Sequence, residues 1–245
     1  MLAKIKGFFY GFLLLHLLWF CGHYFVNERI IPAPLTVYLR MDLLFWHEMS
    51  RHIGHSLWRL FISLVISILM GLILGLLLAQ SKIVAKLLDP LIYFVYPIPK
   101  MAFLPVVMIL LGLGNSAIIT MIILIIVFQI IINVRDGIRS IPEEHYQTLI
   151  TLGANKWQMF KDITLPAAFS HILSSTRVAL GTATAILFIT ESNGRIYGVG
   201  RFIMDAQSRI QWVDVFAGII VLSLIAFILF LLIDLLESIF MKWNK

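Results

Sequence analysis

Charge is scarce in this chain: Lys and Arg number 19 and Asp and Glu 13 in 245 residues, 13% together, about half of what a soluble domain carries. A single cysteine, Cys21, excludes a disulfide framework and a cysteine-built metal site within one chain. No Gly-Lys dipeptide occurs, so the chain has no phosphate-binding P-loop. The long apolar runs lack a nucleophile with its base; His16 and His23, the only histidines inside such runs, have no carboxylate nearby in sequence. The same runs hold no acid away from their ends, the group through which an ion-coupled carrier would work. An intramembrane enzyme and a secondary transporter or channel are therefore the weaker alternatives, although sequence alone leaves both open.

What is present is apolar. Hydrophobic residues make up 60% of the chain and its mean hydropathy is +0.96, a balance that one soluble core of this size cannot bury. The fold class is an all-α integral membrane protein with about six transmembrane helices. The apolar runs place spans near residues 7–26, 60–80, 91–112, 116–134, 172–191 and 214–236, in a single transmembrane domain covering residues 1–245. The first run exceeds a signal-peptide core and lacks a small-residue cleavage pattern, so it is expected to be retained. A net charge of +6 would suggest nucleic acid in a soluble protein. Here the basic residues flank apolar spans, where they orient helices and meet lipid headgroups, so nucleic acid is excluded as a partner.

Between the first two spans, residues 27–59 form an outer surface segment ending in an amphipathic WHEMSRHIGHSLWR helix, with Trp46 and Trp58 suited to the interface. His47, Glu48, His52 and His55 imitate a zinc-protease motif, but the histidine spacing is wrong for it, and they are expected to be polar-face residues with no metal. Gly71 and Gly75 allow a close helix approach. Pro90, Pro97, Pro99 and Pro105 interrupt the third span, whose freed backbone groups need neighbours or a water-filled path. Gly112 to Ala117 satisfy a dinucleotide-binding fingerprint, yet an unbroken apolar run follows, so they mark a turn between two spans. Gln129 and Asn133 share a face of the fourth span, either as interhelical hydrogen bonds or as part of a polar path. Gly181, Thr182, Ala183, Thr184 and Ala185 are too small to fill a lipid-facing groove and should face protein or a pore. Glu191 at the end of that span is either a solvated cap or part of the path. Residues 192–212, rich in glycine, are expected to form a flexible outer loop with a short surface helix, and Lys242 and Lys245 to anchor the last span. The candidate path therefore comprises Pro97, Pro99, Gln129, Asn133, Gly181, Ala183, Ala185 and Glu191, between the fifth span and the broken third.

The longest polar insert, residues 135–171, holds EEHYQTLITLGANKWQMFKDITLP at 143–166. It predicts a helix, a sharp turn at Gly153, a second helix, and a stop at Pro166. Tyr146, Leu149 and Ile150 share an apolar face on the first helix, and Trp157 and Phe160 recur on the second. Gly153, nine residues, then Ile163-Thr164-Leu165-Pro166 resembles the cytoplasmic signature loop of permease subunits of binding-protein-dependent type I ABC importers. Gln147-Thr148-Leu149 stands where that family has Glu-Ala-Ala, keeping the helix while removing the usual charge. YPIPKMAFLP at 96–105 resembles the nitrate, sulfonate and taurine branch.

The resemblance implies a permease in the bacterial plasma membrane with both ends inside, a basic bias toward the cytoplasmic segments being modest. It implies a pathway for a small solute such as a sulfonate, nitrate or taurine. Its expected partners are two copies of an ATP-binding subunit, a second permease subunit as a homodimer, and an extracytoplasmic solute-binding protein. It implies that Gln147, Gly153, Ala154, Leu165 and Pro166 couple to the ATPase. The chain would then be no enzyme and hold no cofactor, with ATP and Mg bound by the partner.

Overall fold

The computed structural model describes residues 2–193 and 197–241, apart from the side chains of 2–6, 8, 46, 47 and 240. Gly194, Lys242 and Lys245, and the side chains of Trp46 and His47, lie outside the described residues. The described secondary structure is helical: α1 (Leu2–Phe25), α2 (Pro34–Leu44), α3 (Ser50–Gln80), α4 (Lys82–Val95), α5 (Leu104–Leu111), α6 (Asn115–Arg139), α7 (Glu143–Thr151), α8 (Lys156–Met159), α9 (Leu165–Ser192), α10 (Val199–Ser208) and α11 (Trp212–Phe240).

Among the described residues, four helices are long and apolar enough to cross a bilayer: Ser50–Gln80, Asn115–Arg139, Lys156–Ser192 and Trp212–Ile239. The third run is not one straight span over 91–112. Lys82–Val95 and Lys100–Leu111 meet at a bend of 80°, and would make a fifth span together. The cause lies in Pro97 and Pro99, which lack donors and exclude helix from the residue before each. Lys100 sits at the break, nearly buried, and its ammonium donates to the carbonyls of Val95 and Tyr96 at 3.1 and 2.9 Å, satisfying the open end of α4. In α1, Phe9–Phe25 is a shorter apolar helix.

Helix α3 departs from the expected surface segment. A wide turn at Phe45–Met49 feeds directly into a helix running from Ser50 to Gln80, so the histidine-bearing stretch is the start of a spanning helix. The periodicity explains it: His52, Ser56, Arg59, Ser63 and Ser67 recur at helical spacing and are all buried, while Phe61, Leu69, Ile73 and Leu77 lie exposed on other sides as a lipid-facing helix requires.

The chain divides into two compact units, Met1–Ser56 with Glu191–Leu224, and Leu57–Thr190 with Ile225–Lys245. In the first, His16, Trp19 and His23 form one face of α1. Trp19 Nε1 donates to the Pro32 carbonyl at 2.9 Å, and the His23 ring to that of Ile31 at 2.6 Å. The His16 ring bonds to the Tyr38 hydroxyl at 2.5 Å, so both run histidines serve to fix α1 against the following turn and α2. Arg40 on α2 makes a two-pronged contact to Asp214 at the start of α11, at 2.8 and 3.2 Å, and this bond holds the guanidinium above its ordinary pKa.

In the second unit the small residues act by close approach. A Cβ on Gly71 would lie 2.4 Å from Ile130 Cγ2, and one on Gly75 2.7 Å from Val134 Cβ, so α3 and α6 pack with nothing but glycine between them. Gly137 of α6 likewise leaves room for the His171 ring of α9. Leu78, Ile92, Val127 and Ile131 form a buried apolar cluster joining α3, α4 and α6. At the inner end, Arg135 and Arg139 both bind Asp89, at 2.7 and 2.9 Å, which ties α6 to α4. Arg177 of α9 binds Asp234 at 2.8 Å, and also Glu237, both on α11. A cation within a span carries a desolvation cost that such pairing offsets.

Candidate functional site

The polar insert is built as a helical hairpin, and its turn follows from Gly153. Helix α7 ends with Gly153 at φ +82°, its N–H bonded to the Ile150 carbonyl at 2.9 Å and the Ala154 N–H reaching back to Leu149 at 3.0 Å. This is a Schellman closure, which needs a residue with positive φ at that position. Asn155 then opens α8 with a reciprocal cap: it accepts from the Gln158 N–H at 2.9 Å while its own N–H donates to Gln158 Oε1 at 2.7 Å. Tyr146 and Thr164 join hydroxyls at 3.0 Å and hold the two arms together.

The second arm differs from the expected stop at Pro166. A wide helical turn at Phe160–Thr164 leads into α9, and the helix continues unbroken from Lys156 to Ser192. Proline is tolerated because it follows the widened turn, where the hydrogen-bond register has already shifted, so its missing donor breaks nothing further. Of the residues assigned to coupling, Gln147 and Gly153 are exposed on the first arm and turn, while Ala154, Leu165 and Pro166 are half-buried. The tip also carries apolar side chains with no cover: Leu152 is 77% exposed, Trp157 68% and Ile150 56%. Trp157 stacks on Phe160 at 5.5 Å, so its ring is held as a rigid plate. Beneath lies a cavity of about 770 Å³ lined by His145, Lys161, Asp162, Pro166, His171 and others. Of these tip residues, sequence periodicity missed Leu152, which lies next to the turn and off the repeating face.

A second constellation lies at the far end of α9. Glu191 is fully buried, which excludes the solvated cap. Its carboxylate accepts from the Ser56 hydroxyl, at 2.8 and 2.9 Å to its two oxygens, and from the Gly200 N–H at 2.9 Å. Ser56 accepts in turn from the Val199 N–H at 2.8 Å, so hydroxyl and carboxylate together satisfy the opening donors of α10. His52, one turn earlier on α3, lies 2.7 Å from the Gly198 carbonyl. His55 stacks on Tyr197 with centroids 5.6 Å apart. The histidines expected on a polar face are thus parts of a packed clamp. The segment expected to be a loose loop is, over its described part, a helix whose Val199, Phe202, Ile203 and Ala206 are buried.

The candidate path residues do not form one surface. Pro97, Pro99 and Asn133 are exposed and Gln129 is half-buried. Neither amide has a hydrogen-bond partner among the described residues, which removes the interhelical hydrogen bond within this chain as their purpose. On α9, Gly181 and Ala185 share an exposed face with Ser174, Val178 and Ile189, whereas Ala183 is completely buried and belongs to packing. The dinucleotide-like residues form a turn, with Gly112 at φ +78° and the Asn115 side chain accepting from Arg59 Nε at 2.8 Å.

Comparison with known proteins places these features in context. Residues 63–242 match the family described as binding-protein-dependent transport system inner membrane component. A permease protein assigned to aliphatic sulfonate transport in Bacillus subtilis strain 168 is 30% identical over 221 residues, 90% of this chain and 80% of the relative. The taurine transport system permease protein of Escherichia coli K12 is 29% identical over 83% of this chain and 73% of its own length. The riboflavin transport system permease protein of Chloroflexus aurantiacus is 32% identical over 88% and 81%. Among solved structures, a chain of a bacterial alginate ABC transporter, in complex with its alginate pentasaccharide-bound periplasmic protein, superposes with a TM-score of 0.64. That likeness covers 96% of this chain and 95% of the other at 19% identity, a likeness of fold.

Proposed function

The chain belongs to the family of binding-protein-dependent transport system inner membrane components, a multi-pass permease subunit of an ABC importer and not an enzyme, and from that premise we propose how it works. Its hairpin at 143–166 is the element through which a separate ATPase drives the spans. The observation that carries this reading is the exposed, rigidly stacked apolar tip of Leu152 and Trp157 on a turn fixed by Gly153. An apolar anchor so placed is an interface waiting for a groove. Gln147, Gly153, Ala154, Leu165 and Pro166 position it. ATP and Mg bind on the partner, since this chain has no P-loop. The working complex holds two permease and two ATPase copies and receives solute from an extracytoplasmic binding protein. Residues 7–26 and the broken third run complete a six-span topology.

The solute is a small sulfonate or a comparably small anionic or organic compound. The sulfonate and taurine relatives support this class, although a riboflavin permease is as similar in sequence. The pathway runs along the exposed small-residue face of α9 at Gly181 and Ala185, with the unpartnered Gln129 and Asn133 amides and the proline break contributing polar groups. A polar amide without a partner in its own chain is satisfied in a membrane by water or by a second subunit.

Two measurements test the reading. Native mass spectrometry of the purified complex should show two copies of this chain with two ATPase copies, and a second, different permease would overturn the homodimer. Leu152→Asp with Trp157→Ala should reduce ATPase recovery about tenfold or more, the effect of losing an apolar hot spot; full recovery would remove the tip from the interface. For the path, Ala185→Trp projects from an exposed face and should block uptake with no loss of folding. Ala183→Trp overpacks a buried site and should instead destabilise the chain by about 1–3 kcal/mol. Unimpaired uptake in the Ala185 variant would place the path elsewhere.

A further inference from the structure

Helix α10 closes with the same hydrogen-bond pattern as α7 but with the wrong residue for it. The Ile210 N–H bonds to the Gln207 carbonyl and the Gln211 N–H to that of Ala206, both at 2.9 Å, a Schellman closure centred on Ile210. Ile210 therefore stands at φ +60°, the sole positive-φ residue other than glycine among those described. A β-branched side chain is a poor choice for that conformation, and glycine would close the turn freely. The position is also 72% exposed, so the side chain gains little packing in return. Two local penalties at one residue, with no compensating contact inside the chain, point to a requirement outside it.

The surroundings describe the requirement. Residues 207–211 are all exposed, and apart from Ile210 they are polar: Gln207, Ser208, Arg209 and Gln211. Among the described residues the Arg209 guanidinium has no ion-pair or hydrogen-bond partner. The backbone around them is held firmly, because Val199, Phe202, Ile203 and Ala206 are buried and a Cβ on Gly218 of α11 would lie 2.5 Å from Ile203 Cγ1. The result is one apolar knob beside one free cation on a rigid corner. Since α9 crosses the membrane, this corner is on the face opposite the hairpin, where a solute-binding protein arrives.

We propose that Ile210 and Arg209 anchor the extracytoplasmic solute-binding protein, with Ile210 entering an apolar notch on that partner and Arg209 meeting a carboxylate at its rim. The inference rests on the importer reading given above. Lipid is the competing occupant, but a bilayer accepts an apolar side chain in any orientation, and four polar neighbours within five residues suit water better than acyl chains. A directional, strained knob fits a shaped partner.

Ile210→Gly is the discriminating variant because it removes the knob while relieving the backbone. In the assembled transporter in nanodiscs, titrated with the solute-binding protein of the same system, the half-maximal concentration for stimulation of ATP hydrolysis should rise about tenfold. The melting temperature should stay level or rise, which separates lost docking from lost folding. Arg209→Glu, a fully surface change, should raise the same concentration and weaken its dependence on salt. Unchanged half-maximal concentrations in both variants would overturn the proposal. A lower melting temperature in nanodiscs but not in detergent, with unchanged stimulation, would assign the corner to lipid and likewise overturn it. Failure of any binding protein to stimulate the unmodified complex would instead count against the importer reading.

Discussion

Gly198→Ala is expected to cost about 3–5 kcal/mol of stability, the scale of stripping partners from a buried charge, and to abolish uptake. Gly198 has φ 168°, an extended backbone open to any residue, so conformational freedom is not what glycine supplies there. It supplies space: a Cβ would lie 2.4 Å from Glu191 Cδ and 2.6 Å from both carboxylate oxygens. The carboxylate cannot swing aside cheaply, because Ser56 and the Gly200 N–H hold both oxygens and the site is fully buried. Thermal melting of the purified chain measures the cost. Glu191→Ala alone should be milder, about 1–3 kcal/mol, since it strands the Ser56 hydroxyl and the Gly200 donor without trapping a charge. The double substitution should therefore be less damaging than the sum of the two, because removing the carboxylate also removes the clash. Native-like melting of Gly198→Ala would refute the clamp as a stabilising element.

That clamp was poorly legible beforehand, and the reason is physical. Its members, His52, Ser56, Glu191 and Gly198, come from two stretches more than a hundred residues apart, and the hydrogen bonds between them leave no local periodicity. Each was read from its neighbours alone: histidines near a tryptophan suggested an interface, and a glutamate at a span end suggested solvent. The buried stripe of α3 was available as a clue, since His52, Ser56, Arg59, Ser63 and Ser67 recur at helical spacing. By contrast, most of the spanning helices, the glycine pair on α3 and the hairpin were all legible, because apolar run length, small-residue spacing and turn chemistry are local signals. The hairpin's second arm was the exception. A proline ordinarily ends a helix, and only the wide turn at Phe160–Thr164 makes Pro166 compatible with a continuous one. Similarly, the small-residue cluster on α9 had the right composition for an open face, but composition does not say which of Gly181, Ala183 and Ala185 looks outward.

Gly153→Val is expected to reduce solute-stimulated ATP hydrolysis tenfold or more while the spans insert normally. The residue sits at φ +82°, and a Cβ there would meet nothing within 4 Å. Crowding is therefore excluded as the mechanism, and the whole effect is conformational. A left-handed backbone costs an ordinary residue about 1–2 kcal/mol, and a β-branched one is worse placed. The turn can escape that strain by opening, which breaks the bonds to Ile150 and Leu149 and re-aims the second arm. Trp157 would then leave the position its partner must meet, although the capping box of Asn155 and Gln158 keeps α8 itself intact. Asparagine tolerates positive φ, so Gly153→Asn should retain most of the stimulated rate despite adding a larger, polar side chain. The ordering Gly, Asn, Val distinguishes geometry from bulk, because Asn and Val are similar in size. Equal loss in both variants would show that the surface at 153 is itself the contact, and normal rates in both would remove the turn from coupling.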